Sequence, residues 1–131
     1  GVHLGQSDLP ARIARRLVGE EAYLGLSAAT PDELRTAQEQ GACDHVGIGV
    51  VHPTATKADA PKSLGVNGVA RMAALIDLPA VAIGGITASD LPALRAGGLA
   101  GAAVVSAICT AEDPRSVAAD LHRAWDEGCR R

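Results

Sequence analysis

Short apolar runs alternate with longer amphipathic stretches along this chain, and the alternation repeats five times. The runs are Gly1 to Leu4, Tyr23 to Leu26, His45 to Val51, Ala80 to Ile83 and Ala102 to Val105. With Val2, Leu24, Val46, Val81 and Ala103 as register points, the spacings are 22, 22, 35 and 22 residues. Such a period holds a strand, a short loop and a helix of about three turns, so each repeat reads as one βα unit.

The stretches between the runs carry their own helix signals. Thr30-Pro31-Asp32-Glu33 spells a capping box, with Thr30 as cap, Pro31 in the first turn and Glu33 reaching back. Asp113-Pro114 opens the last helix in the same way, and Val117, Leu121 and Trp125 succeed it at four-residue intervals as its buried stripe. Thr87 with Asp90 offers another cap. Gly41 and Gly97 stand where a left-handed residue ends a helix. Strand–helix alternation predicts parallel strands with right-handed crossovers.

Two closures satisfy that pattern, a doubly wound open sheet and a (β/α)8 TIM barrel. The near-equal repeat favours the α/β barrel, in which every unit occupies an equivalent station. Five units cannot close an eight-stranded ring, which takes roughly 200 residues or more. Residues 1–131 are therefore expected to form the C-terminal portion of a single barrel domain. They would supply strands four to eight, with three N-terminal βα units absent.

Composition narrows the class further. Hydrophobic residues make up 47% of the chain and aromatics 2%, with no Phe. The core must come from Val, Ile, Leu and Ala, which suits buried parallel strands. A net charge of −3 without long single-sign runs argues against nucleic acid or an anionic membrane as the main partner. No uncharged apolar stretch reaches about 18 residues, so no transmembrane helix is expected. Cys43, Cys109 and Cys129 obey no CxxC or zinc spacing and read as idle thiols of a reducing cytoplasm. The four histidines lack metal-ligand spacing; His3 is expected inside the barrel and His122 on a helix surface.

In a barrel, function sits at the carboxyl ends of the strands. The residues there are polar and suit anions. Gly84 and Gly85, between Ile83 and Thr87, let a backbone N–H group approach an anion closely, and the next helix would add its dipole. Val105 and Ser106 end the next strand, and barrels commonly bind phosphate between the last two βα loops. The 35-residue spacing comes from His52 to Asn67. There Thr54, Thr56 and Lys57 suit a clamp over phosphates, or simply a solvated polar loop. Asp8 lies just after the first strand, either as a carboxylate for Mg2+ carrying a diphosphate or as a helix N-cap.

These stretches together resemble the thiamine-phosphate synthase family over the whole chain. The matching segments are GVHLGQSDLP (Gly1 to Pro10), LGLS (Leu24 to Ser27), GIGVVHPTATKADA (Gly47 to Ala60), AIGGIT (Ala82 to Thr87) and VVSAI (Val104 to Ile108). The order, with HLGQxD first and PTxTK between, is the specific part. The resemblance implies a cytoplasmic transferase that joins hydroxymethylpyrimidine diphosphate to thiazole phosphate, releasing diphosphate with the help of Mg2+. Its implied route is dissociative, with diphosphate leaving before the thiazole nitrogen captures the pyrimidine cation. Asp8 would be a Mg2+ ligand, and Ser27 and Lys57 would hold the diphosphate. Thr54, Thr56, Gly85, Val105 and Ser106 would surround the thiazole phosphate.

Several positions depart from the family's pattern. Val50 stands where Pro is usual, His52 where an aromatic is usual, Ala29 where His is frequent and Ala100 where Asp is frequent. The family's second Mg2+ carboxylate and further basic residues lie on strands this chain does not contain. Two other readings compete with the transferase. A thiazole tautomerase of the same fold would need a His in the loop Ser27-Ala28-Ala29-Thr30, which has none. A non-catalytic phosphate-binding half-barrel would pair its exposed strand edges with itself, as a homo-oligomer, or with a separate chain.

Overall fold

The computed structural model describes residues 1–53 and 62–129. Among these residues five parallel strands form one sheet in the order of the sequence: β1 Val2–Leu4, β2 Leu24–Ala28, β3 His45–Gly49, β4 Ala80–Ile83 and β5 Gly101–Ala103. Among the described residues six α-helices connect and succeed them. These are α1 Ala11–Val18, α2 Pro31–Gln40, α3 Gly65–Ala73, α4 Leu91–Ala96, α5 Ser106–Cys109 and α6 Pro114–Glu127. Sequential order without reversal is the expected βα progression, and each strand lies within a residue or two of the predicted run.

Local chemistry explains the helix boundaries. Thr30 and Glu33 form the full reciprocal capping box, Pro31 fills the first turn, and Gly41 closes α2 at φ 57°. Asp113 accepts from the Ser116 N–H at 3.0 Å to start α6. Two expectations change. Gly97 is not left-handed (φ −77°); the turn is completed by Gly98 at φ 88°. Gly97 answers a packing need instead, since a β-carbon there would lie 2.7 Å from the Ala70 β-carbon of α3. The Thr87–Asp90 cap opens a 3-10 turn, Ala88–Asp90, before α4.

Strand side chains alternate between two faces. Leu24, Val46, Ile48 and Ala82 point to the helix side and are almost fully buried, packed with Leu34, Val69 and Leu94. The other face is built differently. His3, Gly25 and His45 are register partners in one row, and Ser27, Gly47, Val81 and Gly101 in the next. A third row runs Gly49, Ile83 and Ala103. Bulk on one strand thus meets glycine or alanine beside it.

At the amino ends of the strands a charged clasp ties three elements together. Arg15 at the end of α1 donates to the carbonyls of Gly19, Ala22 and Ala42 and to Asp44 at 2.7 Å. Asp44 also accepts from the Leu24 N–H at 2.6 Å. That backbone bond, with Arg15 beside it, holds the Asp44 carboxyl below its usual range. A depressed folded value means the stabilisation is complete above the ordinary carboxyl range and is lost as pH falls through the folded value. Asp44→Asn is expected to cost about 1 kcal/mol near neutral pH, screening by solvent being appreciable at 38% exposure. The cost should vanish in acid, and urea midpoints measured across pH check it. A difference that does not shrink as pH falls below the ordinary carboxyl range would refute this account.

Candidate functional site

Because all five strands run parallel, the loops after them share one rim. A cleft of about 370 Å³ opens there, lined by His3, Ser27, Val50, the Gly84–Ile86 turn and Val104 to Ala107. Ser27, near the end of β2, and Gly85, Val105 and Ser106, after β4 and β5, lie up to 79 positions apart (27 to 106) and meet in one place.

The Gly84–Gly85 turn is dictated by the residues themselves. Both glycines take positive φ, 86° and 67°, which L side chains rarely adopt. A β-carbon on Gly85 would lie 2.7 Å from the His52 carbonyl oxygen. Among the described residues the N–H groups of Gly85 and Ile86 donate to no backbone carbonyl. Donors left open beside a cleft are what an oxyanion requires. The helix dipole expected behind this turn is weaker than the sequence suggests. The chain continues from it into a 3-10 turn and the six-residue α4, and α5 after Ser106 has four residues.

Two side chains converge on Ser27. His3 Nε2 lies 2.9 Å from its hydroxyl oxygen, and the Gln6 amide donates to its carbonyl at 2.6 Å. The His3 ring stacks at a tilt on His45, 5.6 Å between centroids. Burial, then the neighbouring His45, push the His3 imidazole below its usual range. A neutral ring can accept the Ser27 proton or donate to the oxygen. The sequence predicts His3 only as an interior side chain. Its role shows in the row that it shares with Gly25, since the absent side chain at 25 leaves room for both imidazoles.

Asp8 lies outside the cleft, in a neighbouring hollow with Gly5, Gln6, Glu33 and Gln40. Its Oδ2 accepts from the Gly5 N–H at 2.6 Å, so it closes its own turn and does not cap α1, whose cap position is Pro10. Among the described residues its other oxygen accepts no hydrogen bond, and no group of three His, Cys, Asp or Glu could hold a metal ion. One carboxylate with an open oxygen fits a Mg2+ that draws its remaining ligands from water and substrate phosphates. Thr54, Thr56 and Lys57 lie outside the described residues. Val50 lines the cleft and His52 stands behind it, bonded to Asp90 at 2.9 Å. No helix among the described residues is long and apolar enough to cross a membrane.

Comparison with known proteins shows the family. The family model described as thiamine monophosphate synthase matches residues 1–108. The thiamine-phosphate synthase of Vibrio parahaemolyticus is 47% identical over 126 residues, covering 96% of this chain and 61% of that protein. That of Lactococcus lactis subsp. cremoris is 47% identical over 118 residues, covering 90% and 54%. The structure of thiamine phosphate pyrophosphorylase from Pyrococcus furiosus superposes with a TM-score of 0.86 at 32% identity, covering 98% of this chain and 60% of that one. The chain thus spans about three-fifths of the length of the relatives it matches.

Proposed function

This chain belongs to the thiamine monophosphate synthase family, and from that membership we propose that it carries the phosphate-binding side of a transferase. The reaction joins hydroxymethylpyrimidine diphosphate to thiazole phosphate, giving thiamine phosphate and diphosphate. The cleft that gathers Ser27, Gly85, Val105 and Ser106 carries this reading.

The residues divide the work by charge. The Gly85 and Ile86 N–H groups, with the Val105 backbone and the Ser106 hydroxyl, receive the thiazole phosphate, joined by Thr54 and Thr56 from the preceding loop. Ser27, oriented by His3, donates to the diphosphate, and Lys57 balances the charge that grows on it. Preorganised donors of this kind lower a barrier because they need not reorient as charge develops. Mg2+ held at Asp8 would supply further neutralisation of the leaving diphosphate. Departure of diphosphate leaves a pyrimidine-methyl cation, and the thiazole nitrogen's lone pair forms the new C–N bond. No proton need be removed, so no general base is required.

The fold proposal goes with this one. Leu9, Ile13 and Leu17, at four-residue spacing on and just before α1, expose an apolar stripe. At the β5 edge Leu91, Val104, Leu121 and Trp125 line an apolar groove of about 290 Å³. Three further βα units would cover both and close an eight-stranded ring. Coupling of the two substrates, monitored as thiamine phosphate formed, tests the proposal with the chain alone and joined to three such units. Turnover is expected only in the joined form with Mg2+. A joined, folded protein that bound neither substrate would overturn it.

A further inference from the structure

Behind the Gly84–Gly85 turn lies a side-chain cluster that touches the cleft only through the backbone. His52, on the segment leaving β3, places Nε2 2.9 Å from Asp90 Oδ1. The other Asp90 oxygen accepts from the Thr87 N–H and hydroxyl, both at 2.8 Å. Burial alone would raise the Asp90 carboxyl, yet the bonds from His52 and Thr87 outweigh it and hold the group below its usual range. An ionised carboxylate only accepts, so His52 Nε2 carries the hydrogen. The backbones are tied as well: the His52 N–H donates to the Gly84 carbonyl at 3.1 Å and the Val51 N–H to the Ile83 carbonyl at 2.9 Å.

We propose that His52 is a positioning residue for the phosphate cleft, clasping Asp90 so that the loop after β3 locks the Gly84–Gly85 turn in its anion-binding shape. The inference rests on the phosphate reading above. Two consecutive glycines are the most freely hinged backbone a chain can have, so their donors are preorganised only if something outside the turn restrains them. The Asp90–Thr87 bonds span three residues and form a local cap. The His52 bond spans 38 positions and reaches a different βα loop. Removing the His52 ring leaves the cap and the backbone ties in place and takes away the side-chain restraint between the two loops.

Titration of 15N-labelled protein with inorganic phosphate, read at the Gly84 and Gly85 amide signals, tests this. His52→Phe keeps a ring without the N–H and is expected to weaken phosphate binding about tenfold. His52→Gln, which keeps a side-chain N–H, should bring the affinity back to within about twofold. A purely structural role would instead lower the thermal midpoints of both variants without separating their phosphate affinities. Should the phenyl ring disturb the loop, His52→Ala removes the bond without added bulk. Undiminished binding in His52→Phe and His52→Ala, or no recovery in His52→Gln, sinks the clasp alone. Absence of any phosphate-dependent shift in the unsubstituted protein sinks the phosphate reading, and the clasp's role with it.

Discussion

Gly49→Ala is expected to lower the thermal unfolding midpoint by roughly 10 °C. Gly49 pairs with Ile83 across β3 and β4, and a β-carbon at position 49 would overlap the Ile83 carbonyl oxygen. It would also come 2.7 Å from Ile83 Cγ1 and 3.0 Å from the carbonyl carbon. The side-chain carbon can rotate away, but the carbonyl cannot. It accepts the Val51 N–H at 2.9 Å, so moving it breaks a bond at the base of the cleft. Overpacking of this kind costs about 1–3 kcal/mol and sometimes more, against a total stability of about 5–15 kcal/mol for a domain. Gly101→Ala is the matched control. It lies on the same face of the same sheet, yet its nearest neighbour is Val81 Cγ2 at 3.9 Å, an ordinary contact. Circular dichroism melts of the two should differ clearly, and equal midpoints would refute the packing argument.

Under the proposed transferase reaction, Lys57→Ala is expected to reduce turnover by about 10²- to 10³-fold in the chain joined to three further βα units. Departing diphosphate gathers negative charge as the C–O bond opens, so a cation beside it attracts the transition state more than the ground state. Such an interaction appears in kcat, with KM moved much less. Lys57→Arg should recover part of the loss, since charge is kept while the compact ammonium becomes a wide fork. Steady-state kinetics of both variants decide the matter. Wild-type kcat in Lys57→Ala would remove Lys57 from the leaving-group role.

Strand positions were legible because each βα unit repeats its apolar run, and helix starts because caps are spelled locally. Thr30 to Glu33 and Asp113 to Ser116 act within four residues, so chain order contains all of their chemistry. The same holds for the Gly84–Gly85 turn. The part that escaped is the set of contacts that parallel pairing brings together. The bonds of His3 to Ser27, Arg15 to Asp44 and His52 to Asp90 cross 24, 29 and 38 positions. None has a spacing rule, because the partners are set by register and not by helical or strand period. Asp8 shows the converse: its closest bond is to Gly5, three residues back, a local turn that competes with any longer-range role.

The rows of the sheet face away from the helices have an evolutionary consequence. Where His3 and His45 flank Gly25, and Ile83 flanks Gly49, volume at one station is borrowed from its neighbour. A larger residue at 25 becomes tolerable only after an imidazole has shrunk, and the reverse exchange alone opens a hole. Neighbouring substitutions there are strongly non-additive. Drift at positions 25 and 49 must proceed by compensating swaps, so libraries that vary one column at a time will find these two stations frozen while paired libraries will not.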